Sequence, residues 1–393
     1  MFQALPEQPA DKILQLMQIF RSDPRDGKID LGVGVYRDAE GHTPIMRSIK
    51  AAQRHVWETE RSMAYTGLAG TPEFNDAMIA LVLGGAVSRG NVSSVATPGG
   101  TGAVRLGFEL ARIANPGVTV WHSEPTWPNH PAILKYLGMS VRTYRYLSAS
   151  GEVDVAGMLD DLSGAQPGDL VLLHGCCHNP TGANLDAEAW QAVIACINAG
   201  GFVPMIDIAY QGFGDGLEED AAAVRAVAAS CKEAIIAASC SKNFGVYKER
   251  AGILMATCHD SAQQKVLQGN LAALNRLTYS FPPDHGARLV AKVLTDDALR
   301  ADWQSELEDV RTGMLDLRVS LAAAFRQETN SDRFDFVANH RGMFSQLGLS
   351  PDEVARLRDE HAVYITGDSR MNVAGLNANT IPIVARAVAQ VIQ

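Results

Sequence analysis

The sequence predicts an α/β protein, with a mostly parallel sheet in a large domain and a smaller α+β domain beside it. Between about residues 93 and 258, short apolar runs alternate with helical patterns, which is typical of parallel strands joined by helices. After residue 260 long helical patterns replace this alternation. With 393 residues and 47% hydrophobic residues, the chain is long enough to bury a large core and a smaller one.

Seven apolar runs have the length and composition of buried strands, and together they predict a seven-stranded sheet. In chain order they are SSVAT (93–97), VTVWHS (118–123), SVRTYRYL (140–147), DLVLLHG (169–175), FVPMID (202–207), AIIAAS (234–239) and AGILMATC (251–258). The segments between them, such as 101–117 and 186–201, carry apolar residues at helical spacing and end at Gly or Pro. Parallel strands place the loops that follow them at one edge, where ligands of open α/β sheets bind.

The remaining elements are predicted to build the smaller domain and its connection to the sheet. The helical pattern over 296–328 is long enough to run from one domain into the next. The patterns after it predict strands at 334–340, 342–348 and 362–366 and helices at 350–361 and 380–392. We assign residues 45–310 to the large domain, and residues 1–44 and 311–393 to the small one.

Composition argues against several classes of protein. The net charge is −10, and no basic stripe with interleaved aromatic residues occurs, so nucleic acid is not expected as a partner. The longest apolar stretch, MIALVLGGAV, is too short to cross a bilayer, and the N-terminus lacks a signal-peptide pattern, so we expect a cytoplasmic protein without membrane contact. The cysteines form no Cys-x-x-Cys pair. Cys176 and Cys177 should point to opposite faces of an extended segment, which favours core packing over metal binding.

A glycine-rich turn follows the first strand of the sheet. In TPGGTGAVRLG, the backbone N–H groups of Gly99, Gly100 and Thr101 stand where a helix begins, and such a helix terminus can hold a phosphate. The dinucleotide-binding fingerprint fails here, because Arg105 occupies the position of its third glycine. Taken alone, a turn of this kind more often has a purely structural role.

Three further strand ends carry polar residues. Asp207 ends a buried run with Tyr210 three residues later, Asn179 precedes a proline, and Lys242 follows AIIAAS in a loop that also carries Arg250. Each has an ordinary interpretation: a helix cap, a core aromatic, a turn residue and a solvated lysine. Together they match the needs of pyridoxal 5'-phosphate, whose aldehyde requires an amine, whose ring nitrogen requires an anion and whose phosphate requires a helix N-terminus.

At these residues the sequence closely resembles the class I aminotransferases, the aspartate and aromatic amino acid aminotransferases of pyridoxal-phosphate fold type I. The resemblance runs from KIDLGVGVYRD to SRMNVAGLN, almost the whole chain, and its most specific motifs are HGCCHNPTGANL and SCSKNFGVYKERAG. Within this family the chain looks most like the bacterial aromatic amino acid aminotransferases.

The resemblance implies a role for each matching residue around the cofactor. Lys242 would bind its aldehyde, and Asp207, oriented by His130, would keep its ring nitrogen protonated. Asn179 and Tyr210 would hydrogen-bond its phenolic oxygen. Trp127 would stack on its ring, and the Asn179–Pro180 peptide would be cis. The phosphate ligands would be Gly99, where many members have serine, with Gly100, Thr101, Ser239, Arg250 and, from the other subunit of a homodimer, Tyr65.

The resemblance also implies the substrates, which are an amino acid and a 2-oxo acid. Arg370 would bind the substrate α-carboxylate, and Arg276 of the neighbouring subunit would meet the side-chain carboxylate of aspartate. Gly34 and Val33 would line the same cleft, together with Trp127 and Asn179. Ala64 and Phe281 stand where relatives specialised for aspartate usually carry asparagine.

We therefore expect ping-pong transfer of the amino group of tyrosine, phenylalanine or tryptophan, and of aspartate, to 2-oxoglutarate. Lys242, Asp207, Tyr210 and Tyr65 would be the catalytic residues. The first alternative is an aspartate aminotransferase with weak aromatic activity. Three rivals also remain open: a β-lyase or decarboxylase of the same fold type, a non-catalytic regulator, for which no DNA-binding domain fits before residue 30, and a nicotinamide-dependent dehydrogenase, whose glycine spacing is missing.

Overall fold

The computed structural model describes residues 1–8, 10–38, 41–258 and 260–393. Its strands are β1 (Ile29–Asp30), β2 (Val92–Pro98), β3 (Thr119–Glu124), β4 (Ser140–Arg145), β5 (Leu170–His174), β6 (Val203–Ile208), β7 (Glu233–Ser239), β8 (Ala251–Cys258), β9 (Phe344–Gln346), β10 (Val363–Tyr364) and β11 (Arg370–Asn372). Its helices are α1 (Lys12–Ser22), α2 (Arg47–Thr59), α3 (Pro72–Leu83), α4 (Gly99–Ala114), α5 (Asn129–Tyr136), α6 (Val155–Leu162), α7 (Ala187–Gly200), α8 (Leu217–Ser230), α9 (Ser261–Thr278), α10 (His285–Thr295), α11 (Asp297–Thr329), α12 (Phe336–Asn339), α13 (Pro351–His361) and α14 (Thr380–Val391).

The central sheet has the strand order β2-β8-β7-β6-β5-β3-β4, and each of the seven predicted runs supplies one strand. Only β8 runs against its two neighbours, so the prediction of a mostly parallel seven-stranded sheet is confirmed. Every residue of β8 is buried, which explains why its sequence is apolar without alternation. Because β2, β5, β6 and β7 point the same way, the loops that follow them meet at one edge of the sheet.

Helices cover both faces of this sheet. Buried residues of α4, α5 and α9 form one core with the sheet, and those of α3, α7, α8 and α10 form another on its opposite face.

Helix α7 shows how the sequence determines where a helix begins and ends. The Asp186 carboxylate accepts a hydrogen bond from the backbone N–H of Ala189 at its start, and Gly201 adopts the left-handed conformation at its end.

A further hydrophobic core lies away from the central sheet and draws on residues 29–31 and 321–391. The 33-residue helix α11 reaches both regions, because Trp303 and Met314 pack in a core of the central sheet while Leu321 and Phe325 pack in this one. Strand β1 pairs in parallel with β10, and Ile29 and Leu31 lie in this core, so part of the N-terminal segment contributes to it. The boundaries at residues 44 and 310 stay a prediction.

One predicted element is wrong. Residues 334–340 were expected to form a strand, but residues 336–339 form the short helix α12. Phe334 and Val337, three positions apart, are both buried, and the Phe334 ring packs 4.8 Å from that of Phe325 on α11. Packing against a helix at this spacing therefore overrides the strand-like composition of the segment.

No helix in the described parts of the chain is long and apolar enough to cross a membrane.

Candidate active site

A cavity, called here the central cavity, opens where the strands of the sheet end. Residues that the sequence analysis selected line most of it: Gly100, Thr101, Trp127, Asn179, Asp207, Tyr210, Ser239, Lys242 and Arg250. Its remaining lining residues, which the sequence analysis did not select, are His174, Cys176, Ala209 and Ser241. The topology thus brings together residues that are up to 150 positions apart in the sequence, from Gly100 to Arg250.

One end of the central cavity is formed by the N-terminus of α4. The helix begins at Gly99, and within the described residues no side chain caps its first N–H groups. Gly99 has a φ of +69°, and a Cβ atom there would lie 2.5 Å from Nη2 of Arg250. A Cβ atom on Gly100 would lie 2.9 Å from Cβ of Ser239. The two glycines therefore let an arginine and a hydroxyl approach a helix N-terminus, an arrangement suited to an anion.

Asp207 marks another part of the cavity. Its Oδ2 lies 3.2 Å from Nε2 of His130, while its buried Oδ1 has no hydrogen-bond partner among the described residues. Burial alone would raise the pKa of this carboxyl, but the hydrogen bond from His130 and the charges of His130 and Lys242 together hold it below its usual value. A buried anionic oxygen without a partner is suited to a cationic N–H group of a ligand.

A chain of hydrogen bonds continues behind Asp207. Nδ1 of His130 lies 2.9 Å from Oγ1 of Thr126, which in turn lies 3.1 Å from Nε2 of His174. Burial lowers the pKa of His174 to about 3, so this imidazole is neutral at physiological pH. The sequence analysis missed Thr126 and His174. The position of His174 at the end of a predicted strand was the signal that could have found it.

Lys242 lines the cavity, with its Nζ 4.9 Å from the centre of the Tyr210 ring. Burial lowers the pKa of this amine to about 8; the Asp207 carboxylate opposes the shift, and the charges of Arg250 and Arg370 reinforce it. A residue outside the cavity holds the turn that carries Lys242: the Trp303 indole donates a 2.7 Å hydrogen bond to the Asn243 carbonyl. A lysine prepared in this way is suited to nucleophilic attack on a carbonyl group.

Arg370 lies close to the groups of the central cavity, although it follows Lys242 by 128 positions in the sequence. Its guanidinium donates to Oδ1 of Asn179 at 3.2 Å and to the carbonyl of Gly32 at 3.1 Å, and it lies 4.3 Å from the centre of the Phe344 ring. A Cβ atom on Gly34 would lie 2.9 Å from the same ring. The neighbouring Val33 carbonyl accepts a hydrogen bond from Asn372. The Asn179–Pro180 peptide is cis, as expected.

The sequence pattern of a known family, described as aminotransferase class I and II, matches residues 26–388. The chain belongs to this family. It is 57% identical to an aromatic-amino-acid aminotransferase of Paracoccus denitrificans over 388 residues, which is 98% of each chain. A solved aromatic amino acid aminotransferase with 3-indolebutyric acid is 56% identical and superimposes with a TM-score of 0.98 over 100% of both chains. The enzyme from Burkholderia pseudomallei covalently bound to pyridoxal phosphate is 37% identical, with a TM-score of 0.97 over 100% of both chains.

This aminotransferase uses pyridoxal 5'-phosphate, and the central cavity offers a fitting group for each part of the cofactor. The unpartnered Oδ1 of Asp207 fits a protonated ring nitrogen. The uncapped start of α4 with the Arg250 guanidinium fits a phosphate. The amine of Lys242, whose pKa is lowered, fits the aldehyde.

Among the predicted site residues of the aminotransferase, Tyr65 and Arg276 lie on the exposed surface, apart from the central cavity of their own chain. Tyr65 is 84% exposed and stacks on Phe281, with ring centres 4.8 Å apart. Arg276 is also exposed. Its Nη1 donates to Oγ of Ser280 at 2.6 Å, and its guanidinium lies 5.5 Å from the centre of the Phe281 ring. These two residues form a separate exposed group, and Ala64, which precedes Tyr65, is exposed as well.

The expected geometry of Cys176 and Cys177 is wrong. Cys177 has a φ of +50°, so the pair is not extended, and both sulfur atoms and a carboxylate oxygen of Asp220 lie within 4.8 Å of one another. The Asp220 carboxylate already accepts hydrogen bonds from three backbone N–H groups of the 212–215 turn. The expectation that the two cysteines pack in the core rather than bind a metal stays a prediction.

Proposed function

We propose that this enzyme transfers the amino group of tyrosine, phenylalanine or tryptophan, and of aspartate, to 2-oxoglutarate. One observation supports the proposal that both aromatic and acidic donors are used. The Arg276 guanidinium, a group suited to a substrate carboxylate, rests on the Phe281 ring, which stacks on Tyr65. A cation on an aromatic surface can meet either an acidic or an aromatic side chain. Two relatives that are more than 50% identical are named aromatic amino acid aminotransferases, which supports the proposal. Relatives about 40% identical are named aspartate aminotransferases, which agrees with the inclusion of aspartate.

Pyridoxal phosphate, when bound, supplies an aldehyde that binds amines and a ring that takes up the electrons of the substrate α-carbon. Lys242 would hold the aldehyde between turnovers and, once released, would act as the base that moves the α-proton. A positioned base of this kind contributes on the order of a hundred- to ten-thousandfold to the rate. Its lowered pKa, about 8, leaves a useful fraction of the amine unprotonated near neutral pH.

The other residues of the central cavity would hold and tune the cofactor. Asp207, with His130 behind it, would keep a proton on the ring nitrogen, and Asn179 and Tyr210 would donate hydrogen bonds to the phenolic oxygen. Trp127 would cover one face of the ring. The phosphate would be bound by Gly99, Gly100, Thr101, Ser239 and Arg250, with Tyr65 added from a second subunit.

Arg370 would bind the substrate α-carboxylate through a bidentate pair, a geometry that lysine cannot reproduce. Gly34 would leave space for the substrate beside Phe344. For the side chain, a charge-assisted hydrogen bond to Arg276 and the burial of an aromatic ring are each worth about 1.5–3 kcal/mol, so neither donor class is excluded by magnitude. If Arg276 kept its position while an aromatic substrate ring covered it, its charge would be buried without an anionic partner, at a cost of about 3–5 kcal/mol. We therefore propose that Arg276 turns toward water when aromatic substrates bind.

We also propose a homodimer with shared active sites. Tyr65 and Arg276 lie outside the central cavity of their own chain, so they would serve the cavity of a second copy. Large apolar side chains near them in the sequence are exposed, with Trp57 81%, Met63 90% and Leu277 83% accessible, as expected for a surface that a partner covers. Sedimentation analysis that found only a monomer at assay concentrations would contradict this proposal.

Rates with tyrosine, phenylalanine, tryptophan and aspartate, measured with and without 2-oxoglutarate, test the proposed function. We expect turnover with all four donors and a strict requirement for 2-oxoglutarate. Oxo acid formation without an acceptor would indicate a β-lyase instead, and release of carbon dioxide would indicate a decarboxylase. Turnover of aspartate with only weak turnover of the aromatic donors would favour the alternative, an aspartate aminotransferase. The cytoplasmic location stays a prediction.

A further inference from the structure

Arg318, in the second half of α11, is a fully buried arginine without a carboxylate partner among the described residues. In the described parts of the chain, every hydrogen bond of its guanidinium goes to one short segment, residues 337–345. They reach the carbonyl oxygens of Val337, Arg341, Gly342 and Phe344 and the hydroxyl of Ser345, at distances between 2.7 and 3.3 Å. The five N–H donors of a guanidinium lie in one plane, so these contacts fix the backbone that surrounds it.

Burial of a cation without an anion is unfavourable, and it lowers the pKa of Arg318 to about 9. An apolar residue would fill the same space without this cost. The presence of a guanidinium here therefore calls for an explanation other than stability, and the held segment provides one.

The segment that Arg318 holds, residues 337–345, carries Phe344, whose ring lies against Arg370 and Tyr210. The Arg370 guanidinium lies 4.3 Å from the centre of this ring, and the Tyr210 ring meets it at a centroid distance of 6.2 Å and nearly perpendicular. Strand β9 also pairs with β11 in the register Arg370↔Gln346 and Asn372↔Phe344. The position of the 341–345 backbone thus sets the position of Arg370.

The same segment packs against the loop that carries Asn179, the other partner of Arg370. The Arg341 N–H donates to the Gly182 carbonyl at 2.8 Å, and a Cβ atom on Gly182 would lie 2.2 Å from the Phe344 carbonyl. A Cβ atom on Gly342 would lie 2.4 Å from Cβ of Cys177. With so little space, a shift of the segment would move both the ring and the amide that support Arg370.

We propose that Arg318 is a positioning residue for the substrate α-carboxylate, because it holds residues 341–345 so that Phe344 and Asn179 together fix the Arg370 guanidinium. This inference rests on the proposed role of Arg370. It concerns the carboxylate that all donors and acceptors share, so it predicts an effect common to aromatic and acidic substrates.

The test compares Arg318→Met and Arg318→Lys with the wild-type holoenzyme. We expect KM for tyrosine, aspartate and 2-oxoglutarate to rise together, about tenfold or more in Arg318→Met, with a smaller change in kcat and unchanged affinity for pyridoxal phosphate. Arg318→Lys should restore part of the loss. Ser345→Ala, which removes one acceptor at 2.7 Å and no charge, should show the same pattern more weakly, and it serves as the variant if the Arg318 variants fail to fold.

A probe without a carboxylate separates positioning from general loosening. The amino-transfer half-reaction of tyramine should be nearly unchanged in Arg318→Met, so the preference for tyrosine over tyramine should fall about tenfold. The matched control is Phe325→Leu, a buried substitution on the same helix, which should leave this preference intact. Folded Arg318→Met and Ser345→Ala enzymes with wild-type preference would overturn the inference. A wild-type enzyme inactive with every donor would instead overturn the proposed function.

Discussion

Replacement of Lys242 by methionine should stabilise the cofactor-free protein while it abolishes transamination. Burial lowers the pKa of the Lys242 amine from 10.5 to about 8. A tenfold change in proton affinity corresponds to about 1.4 kcal/mol. The protonated amine therefore lowers the free energy of unfolding by about 3 kcal/mol. Methionine has a similar length and no charge, so the variant should be about 3 kcal/mol more stable at pH 7.

The pH dependence has a definite sign. Below pH 8 the amine is protonated in both the folded and the unfolded chain, so the full destabilisation is present. Between pH 8 and 10.5 the folded chain releases the proton while the unfolded chain still binds it. Stability of the wild type therefore rises with pH through this interval, and its difference from Lys242→Met should shrink toward zero near pH 10.5.

Urea unfolding of both proteins without cofactor, at one protein concentration and at several pH values from 7 to 10.5, measures this difference. Lys248→Met is the matched control, because Lys248 lies in the same turn but is exposed. Its stability should follow the wild type at every pH. Equal stability of wild type and Lys242→Met at pH 7, or a difference that grows with pH, would show that burial does not disfavour the charge on this amine.

Three further predictions concern the substrate, the cofactor and the fold. Arg276→Ala should lower kcat/KM for aspartate about ten- to a hundredfold and change that for tyrosine less than about threefold; wild-type turnover of aspartate by the variant would refute the assigned role. Gly99→Ala should weaken binding of pyridoxal phosphate about tenfold or more in an absorbance titration, because the added Cβ displaces Arg250; unchanged affinity would argue against a phosphate at this helix end. Trp303→Phe should lower the free energy of unfolding by about 2 kcal/mol, because it leaves the Asn243 carbonyl without its indole donor; an unchanged urea midpoint would mean that water replaces that donor.

The sequence alone was sufficient for the features that depend on local pattern. A strand buried on both faces must be apolar along its length, so the seven runs between residues 93 and 258 predicted the central sheet, and the chain supplies it. Asp207 lies near the end of a strand, Asn179 and Lys242 lie in the loops that follow strands, and Gly100 lies at a helix start. Parallel strands bring such positions to one edge, so their residue types were enough to predict a common cavity.

The tertiary structure decided whatever depends on partners distant in the sequence. An isolated Arg318 in a helical pattern is indistinguishable from a solvated arginine, and only folding encloses it within the carbonyl groups of residues 337–344. The turn at Cys177 and the helix over 336–339 are likewise selected by packing, against Gly342 and α11. The sequence therefore determined which chemical groups reach the sheet edge, since that follows from chain order and periodicity. The contacts that hold these groups in place join segments that are far apart in the sequence, and a local sequence pattern does not encode such contacts.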